Sequence, residues 1–269
     1  MYTLDQLLKK LWIDYSSINQ QAHEIHQLLT ERGEKVINDH IAFRTFNIPE
    51  IGIDALAQVF KKLGYQSKGE YHFKEKKLFA RHFEHWDSLQ PKIFISELKL
   101  EECSEDLEKT VYDLFAQVPK ALIKKEEFCL SGRPWKPISL SAYEKLQQES
   151  EYAAWMAVFG FRANHFTVLF NALKSFQSLQ EFNAFLKEKG FKLNVSGGEI
   201  KGSANEYLEQ SSTIAHPVEM VFSDGEKVVP ACYYEFARRY PLPSGGLFQG
   251  FVAQSAEKIF ESTDNRPRG

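Results

Sequence analysis

The strongest constraint on the fold is an internal repeat. The stretch Asp39-His40-Ile41-Ala42-Phe43-Arg44-Thr45-Phe46, β-branched and aromatic and therefore strand-like, has a counterpart in Asn164-His165-Phe166-Thr167-Val168-Leu169-Phe170-Asn171. Each is followed by an amphipathic helical pattern that stops at a glycine, over residues 53–63 before Gly64 and over 179–191 around Gly190. Phe60-Lys61-Lys62-Leu63-Gly64-Tyr65 of the first copy lies over Leu186-Lys187-Glu188-Lys189-Gly190-Phe191 of the second. Each copy then runs through short strand-like segments and closes on a strand that contains a glutamate. These are Phe94-Ile95-Ser96-Glu97-Leu98 and Ala231-Cys232-Tyr233-Tyr234-Glu235-Phe236. His to Gly spans 24 residues in the first copy and 25 in the second, whereas Gly to Glu spans 33 and 45, so the second copy carries an insertion among its middle strands. A helix ending in glycine is common by chance. Matching the opening His and the closing Glu as well makes duplication of a β-α-β-β-β unit the better account.

The predicted fold class is α+β: two β-α-β-β-β modules forming a curved, barrel-like mixed sheet around a metal cleft, with extra helices before, between and after them. The expected organisation is a single domain, 1–269. N-terminal helices occupy 1–35, the first module 36–100, a helical connector 101–160, the second module 161–240, and a C-terminal loop and helix 241–269. The first thirty residues carry the apolar i, i+3, i+4 spacing in Leu4, Leu7, Leu8, Leu11 and Trp12, and a second helix runs toward Gly33. In the connector, helices are predicted over 107–115 and 141–158 around Ser131-Gly132-Arg133-Pro134-Trp135. It holds too many apolar residues to be a solvated linker. The glycine-rich stretch 243–251 lacks a strand-to-helix phosphate signature and is expected to lead into a helix over 252–260 that covers the cleft.

Composition narrows the function classes. With 43% hydrophobic and 14% aromatic residues the chain has ample material for a core, which excludes disorder. The 33 basic and 36 acidic residues give a formal charge of −3, without the basic excess of a nucleic-acid binder. No apolar run approaches the ~20 residues of a membrane span. Residues 1–10 carry Asp5, Lys9 and Lys10 in place of a signal-peptide core. Three cysteines are too few for a disulfide framework, and a reducing, cytoplasmic setting is expected.

The repeat also points to a metal. If the modules pack by pseudo-twofold symmetry, His40, Glu97, His165 and Glu235 come near the middle of one cleft. Imidazole nitrogen and carboxylate oxygen suit Fe(II), Mn(II), Zn(II) or Ni(II), and two His plus one carboxylate with open positions suits non-haem Fe(II) oxygen chemistry. Glu235 sits in an apolar run, where an unpaired carboxylate costs several kcal/mol, so it calls for a metal or an arginine such as Arg238. Glu97 has a weaker setting, as a fourth ligand, an outer acceptor for a histidine N–H, or an ordinary paired carboxylate. His72, His82, His85 and His216 have no repeat partner and read as satisfied or exposed side chains. Arg44 shares a strand face with His40 and Ala42, four residues or roughly 13 Å from His40, where its guanidinium suits an anion held beside the metal. Gln210 and Ser212 share a face of their strand, as substrate contacts or as cross-strand structural pairs.

Together, Asp39-His40-Ile41-Ala42-Phe43-Arg44-Thr45-Phe46, Asn164-His165-Phe166-Thr167, Leu208-Glu209-Gln210-Ser211-Ser212-Thr213 and Tyr234-Glu235-Phe236-Ala237-Arg238-Arg239 resemble the 2-oxoadipate dioxygenase/decarboxylase family. That family, long catalogued as a domain of unknown function, belongs to the vicinal oxygen chelate superfamily. The resemblance covers residues 39–260. It implies an Fe(II) site on His40, His165 and Glu235, with Arg44 as the substrate-carboxylate arginine. It implies 2-oxoadipate and O2 as partners, giving 2-hydroxyglutarate and CO2 in lysine catabolism. The chain looks like a short version without the long insertions of other members. Two other readings stay open: a redox-silent lyase, isomerase or hydrolase using Zn(II) or Ni(II), and a non-catalytic module that sequesters a small anion. The N-terminal helices are free to pack on the body or on a second copy.

Overall fold

The structure, a computed structural model, describes residues 2–263. Helices α1 (Leu4–Ser17) and α2 (Gln20–Glu31) open the chain. Thr3 and Gln6 form a reciprocal capping box at the start of α1, and Gly33 follows α2 with a left-handed φ of 81°. Leu7, Leu11 and Tyr15 of α1 and Ala22, Ile25 and Leu29 of α2 are the buried stripe, laid against the sheet near Phe166 and Tyr234.

The first module is β1 (Asn38–Phe46), α3 (Ile53–Lys62), β2 (Tyr65–Phe73), β3 (Leu78–His85) and β4 (Lys92–Leu98). The connector folds into α4 (Glu105–Phe115), α5 (Lys120–Ile123), α6 (Leu140–Glu149) and α7 (Glu151–Phe159). The helix predicted over 141–158 is broken at Ser150, whose backbone is extended (φ −145°, ψ 106°) and whose hydroxyl caps Ala153 N–H, so α7 turns inward with all nine residues buried. The second module supplies β5 (Ala163–Leu169), α8 (Leu179–Glu188), β6 (Lys201–Ser203), β7 (Leu208–Ser212), β8 (Pro217–Phe222), β9 (Gly225–Pro230) and β10 (Tyr233–Arg239), before α9 (Ala253–Phe260).

Eight strands form one sheet in the order β2-β3-β4-β1-β5-β10-β7-β6. Each module contributes the same half: β1 runs parallel to β4 as β5 does to β10, and the outer strands are antiparallel. The halves meet where β1 and β5 pair antiparallel. This is the predicted duplicated mixed sheet of an α+β protein. The expected insertion is the hairpin β8–β9, which pairs only with itself. Residues 218–222 are therefore not a strand of the main sheet. Their alternating side chains leave Val221 and Val228 exposed, and the hairpin leans on the connector through Leu140 N–H to Asp224 Oδ1 at 2.8 Å. Helix α9 lies across β2, β6 and β7, on the concave face of the sheet. Residues 264–269 of the expected C-terminal segment lie outside the described residues.

Candidate metal centre

Strand alternation selects which side chains enter the concavity. His40, Ala42 and Arg44 point inward from β1, His165 and Thr167 from β5, and Tyr233 and Glu235 from β10. Cross-strand register sets them in two rows: His40 beside Thr167 beside Glu235, and Ala42 beside His165 beside Tyr233. A histidine from each module and one glutamate thus meet at the joint, and one donor atom from each lies within 4.8 Å of the others. His165 Nε2 is 3.4 Å from His40 Nε2 and 3.3 Å from Glu235 Oε2, and His40 Nε2 is 3.7 Å from Glu235 Oε1. All three residues are buried.

The far nitrogens of both rings are fixed from behind. Asp39 Oδ1 accepts from His40 Nδ1 at 2.8 Å, and Asn164 Oδ1 from His165 Nδ1 at 3.1 Å. With Nδ1 as the donor, each Nε2 presents a lone pair to the centre, the tautomer a metal requires. Burial, reinforced by His40 and Arg44, pushes the His165 pKa well below that of a free imidazole, so the ring stays neutral. Burial raises the Glu235 pKa, against the pull of His40 and of Gln210, whose Nε2 donates to Oε1 at 2.6 Å. Glu235 Oε2 is buried without a hydrogen bond, as is Gln210 Oε1. Two imidazoles that turn Nε2 to the centre and a carboxylate with an unsatisfied oxygen fit a divalent cation.

Asp39 anchors the whole arrangement. Burial alone would raise its pKa, but Arg239 holds it well below the usual carboxylate range. Arg239 Nε and Nη2 donate to Oδ2 and Oδ1 at 2.6 and 2.8 Å, and its Nη1 donates to the carbonyls of Phe248 and Gly250. The same guanidinium therefore pins the loop before Phe251, whose ring meets the edge of His40 at 4.8 Å. The Thr167 hydroxyl lies 3.1 Å from His40 Nε2. Asp39, Thr167 and Arg239 were not among the residues singled out in the sequence. A carboxylate directly before a strand histidine is the signal that could have found Asp39.

Of the other sequence candidates, Arg44 lies inside, 4.9 Å from the Tyr152 ring and 5.1 Å from that of Trp155, both on α7. Its Nη2 donates to Thr263 Oγ1 at 3.0 Å, while Nε and Nη1 are buried without partners. Gln210 faces the centre and braces Glu235. Ser212 faces it too, but its hydroxyl is engaged with Ser262 at 2.9 Å.

Glu97 requires a correction. His165 pairs with Tyr233, two residues before Glu235; His40 pairs with Lys92, so the position equivalent to Glu235 is Phe94. Glu97 stands three residues further on, an odd offset that turns it to the opposite face. There it accepts from Ile53 N–H at 3.0 Å at the start of α3 and lies outside the donor cluster. Arg238 is not the partner of Glu235 either. It donates to the Gln177 carbonyl on the exposed side. His82, expected to be an ordinary satisfied histidine, is buried between Tyr71 Oη at 2.8 Å and Glu84 at 2.9 Å. Under α9 lies a small cavity of about 10 Å³, bounded by His40, Phe94, Glu235, Phe251 and Ile259.

Two β-α-β-β-β halves joined through β1 and β5 give the vicinal oxygen chelate fold, with two imidazoles and a carboxylate at the joint. Residues 5–246 match the family model described as 2-oxoadipate dioxygenase/decarboxylase, and the chain belongs to that family. It is 37% identical over 258 residues to the chloroplastic 2-oxoadipate dioxygenase/decarboxylase of Arabidopsis thaliana, covering 86% of this chain and 69% of that protein. Among solved structures, the hydroxyglutarate synthase of Oryza sativa in complex with 2-oxoadipate superposes with a TM-score of 0.90 at 34% identity, covering 96% of this chain and 91% of that one. A protein from Shewanella frigidimarina described as a candidate hydrolase has a TM-score of 0.90 at 49% identity, covering 94% and 99%. A glyoxalase-superfamily protein of Ralstonia eutropha, 20% identical with a TM-score of 0.76 over 90% of this chain and 83% of that one, shares the fold. The family places the chain among dioxygenase/decarboxylase enzymes. Among the described residues no helix is long and apolar enough to cross a membrane.

Proposed function

We propose that the chain is a non-haem Fe(II) enzyme that converts 2-oxoadipate and O2 to 2-hydroxyglutarate and CO2, as a cytoplasmic step of lysine catabolism. The observation that carries the reading is the buried His40, His165 and Glu235 cluster, with Arg44 beside it holding two N–H groups that have no partner. His40, His165 and Glu235 would hold the metal. Bound there, Fe(II) supplies a redox-active Lewis acid with positions left for other ligands.

The remaining work falls to the protein. The family relative solved with 2-oxoadipate points to a six-carbon 2-oxo diacid as the substrate. Its oxo-acid end belongs at the metal and its far carboxylate at Arg44, whose Nε and Nη1 are donors without partners. Stacking between Tyr152 and Trp155 keeps that guanidinium in one orientation, which fixes the carbon facing the metal; such orientation contributes several kcal/mol to a rate. Phe94, Phe251 and Phe260 line the cavity and exclude water. Gln210 holds Glu235, and Ser212 tethers the C-terminal turn through Ser262.

The test is O2 uptake and CO2 release from 2-oxoadipate by Fe(II)-loaded protein, with both lost in His165→Ala. Iron-loaded protein that turns over no member of a 2-oxo acid panel would refute the reading. The description of the Shewanella relative keeps a redox-silent hydrolase in view. Substrate turnover without O2, or a purified metal content of zinc, would favour it.

A further inference from the structure

We propose that the Tyr233 hydroxyl is a second donor to the far carboxylate of the substrate, completing with Arg44 a subsite that selects diacids. This inference rests on the functional reading above. Tyr233 is fully buried, and its hydroxyl has no hydrogen-bond partner. Two residues before Glu235 on β10, it points into the concavity, and its ring stacks on His165 at 4.5 Å and 25°. The charged groups that act on the phenol are Glu235 and Arg44. An unpartnered buried donor is unfavourable. Here such a donor stands in the same concavity as two more on one guanidinium, Nε and Nη1 of Arg44.

The neighbouring residue sharpens the contrast. Tyr234 also has a buried hydroxyl without a partner, but it faces the helical layer among Trp12, Tyr15 and Phe236, and burial alone accounts for its titration. Nothing there would bring an acceptor. Beside Tyr233 the Arg44 guanidinium supplies a positive charge that draws an anion in. A carboxylate has about four lone-pair sites, so a hydrogen bond from Arg44 leaves capacity for a phenol O–H. Arg44 Nη2 donates to Thr263, and Nε and Nη1, which point to different sides of the guanidinium, are the donors left without partners.

Tyr233→Phe removes the hydroxyl and keeps the ring stacked on His165. We would titrate Fe(II)-loaded wild type and variant, without O2, with 2-oxoadipate and with 2-oxohexanoate, which has the same chain length and no far carboxylate. The expected result is a Kd for 2-oxoadipate raised about tenfold in the variant, as for loss of one hydrogen bond to a charged group, with that for 2-oxohexanoate unchanged. KM for 2-oxoadipate should rise in step. The Tm of the ligand-free variant should be no lower than that of wild type, because the hydroxyl has no partner to lose. Equal weakening of both acids would show that Tyr233 acts at the metal end through His165 and overturn the proposal, as would unchanged 2-oxoadipate binding or a lowered ligand-free Tm. A wild type that binds no 2-oxoadipate would overturn the functional reading and this inference with it; failure in the variant comparison alone overturns only the role of Tyr233.

Discussion

Replacing Arg239 by methionine tests how far the centre depends on the charge pair buried beneath it. Arg239 and Asp39 are almost wholly enclosed and joined by two hydrogen bonds of 2.6 and 2.8 Å. Arg239→Met leaves the Asp39 carboxylate inside the protein with His40 as its hydrogen-bonded partner and Lys92 as the nearest remaining cation acting on it. Removing one member of such a pair costs about 3–5 kcal/mol, and the compensation from Lys92 places the cost toward the lower end. Against a total stability on the order of 5–15 kcal/mol this is a large fraction. It corresponds to a Tm lowered by roughly 6–20 °C in a chain of this size. The double variant Asp39→Asn/Arg239→Met removes both charges and should recover most of the loss, since replacing both members is often near neutral. It should not recover metal affinity. An amide is a weaker acceptor for His40 Nδ1–H, and loss of such outer support costs about 10–100-fold in metal binding. Denaturant unfolding and thermal melts of metal-free protein, with a metal titration of each variant, make the comparison. A cost below 1 kcal/mol for the single variant, or a double variant no more stable than the single one, would refute the reasoning.

Three further outcomes are expected. Glu235→Gln removes a carboxylate whose pKa burial has raised, so the metal-free variant should melt no lower than wild type, while the stabilisation by added metal, about 2.7 kcal/mol at 100 times Kd, disappears; thermal shift with and without Fe(II) reads both. The depressed pKa of His165 means that the unfolded chain takes up a proton below about 6.5 that the folded chain refuses. Stability from this group is therefore present above 6.5 and lost as pH falls, by up to about 1.4 kcal/mol per pH unit, and melts of metal-free wild type and His165→Gln at pH 7.5 and 5.5 should diverge accordingly. Glu97→Gln should cost only about 0.5–1.5 kcal/mol through its bond to Ile53 N–H and leave metal affinity unchanged; a large loss of metal binding would reinstate it as a ligand.

The duplication made the sheet legible, because β-strand alternation and a helix ending in glycine leave the same trace twice in the chain. It also exposed His40 and His165, which occupy one place in the repeat, and Glu235, an acidic residue in an apolar run. Glu97 misled because glutamates near the ends of two final strands look alike until pairing register is known, and the hairpin β8–β9 hides the proper spacing in the second copy. Arg239 is 200 residues from Asp39 and reads as one of two adjacent surface arginines; only the inward turn of its strand position distinguishes it from Arg238. The pair of rings beside Arg44 was beyond reach for another reason. It comes from α7, in the connector, where no repeat partner marks Tyr152 or Trp155. Tyr233 could have been found by counting back two from Glu235 along the same strand.

Phe94 stands where symmetry would have placed a second carboxylate. The two halves of the molecule therefore agree in backbone and disagree in chemistry, and anything held between them meets an acidic wall on one flank and a greasy one on the other. A group held there lies between Glu235 and the Phe94 ring. The asymmetry of that space comes from one side chain, a phenyl in the first copy where the second carries a carboxylate.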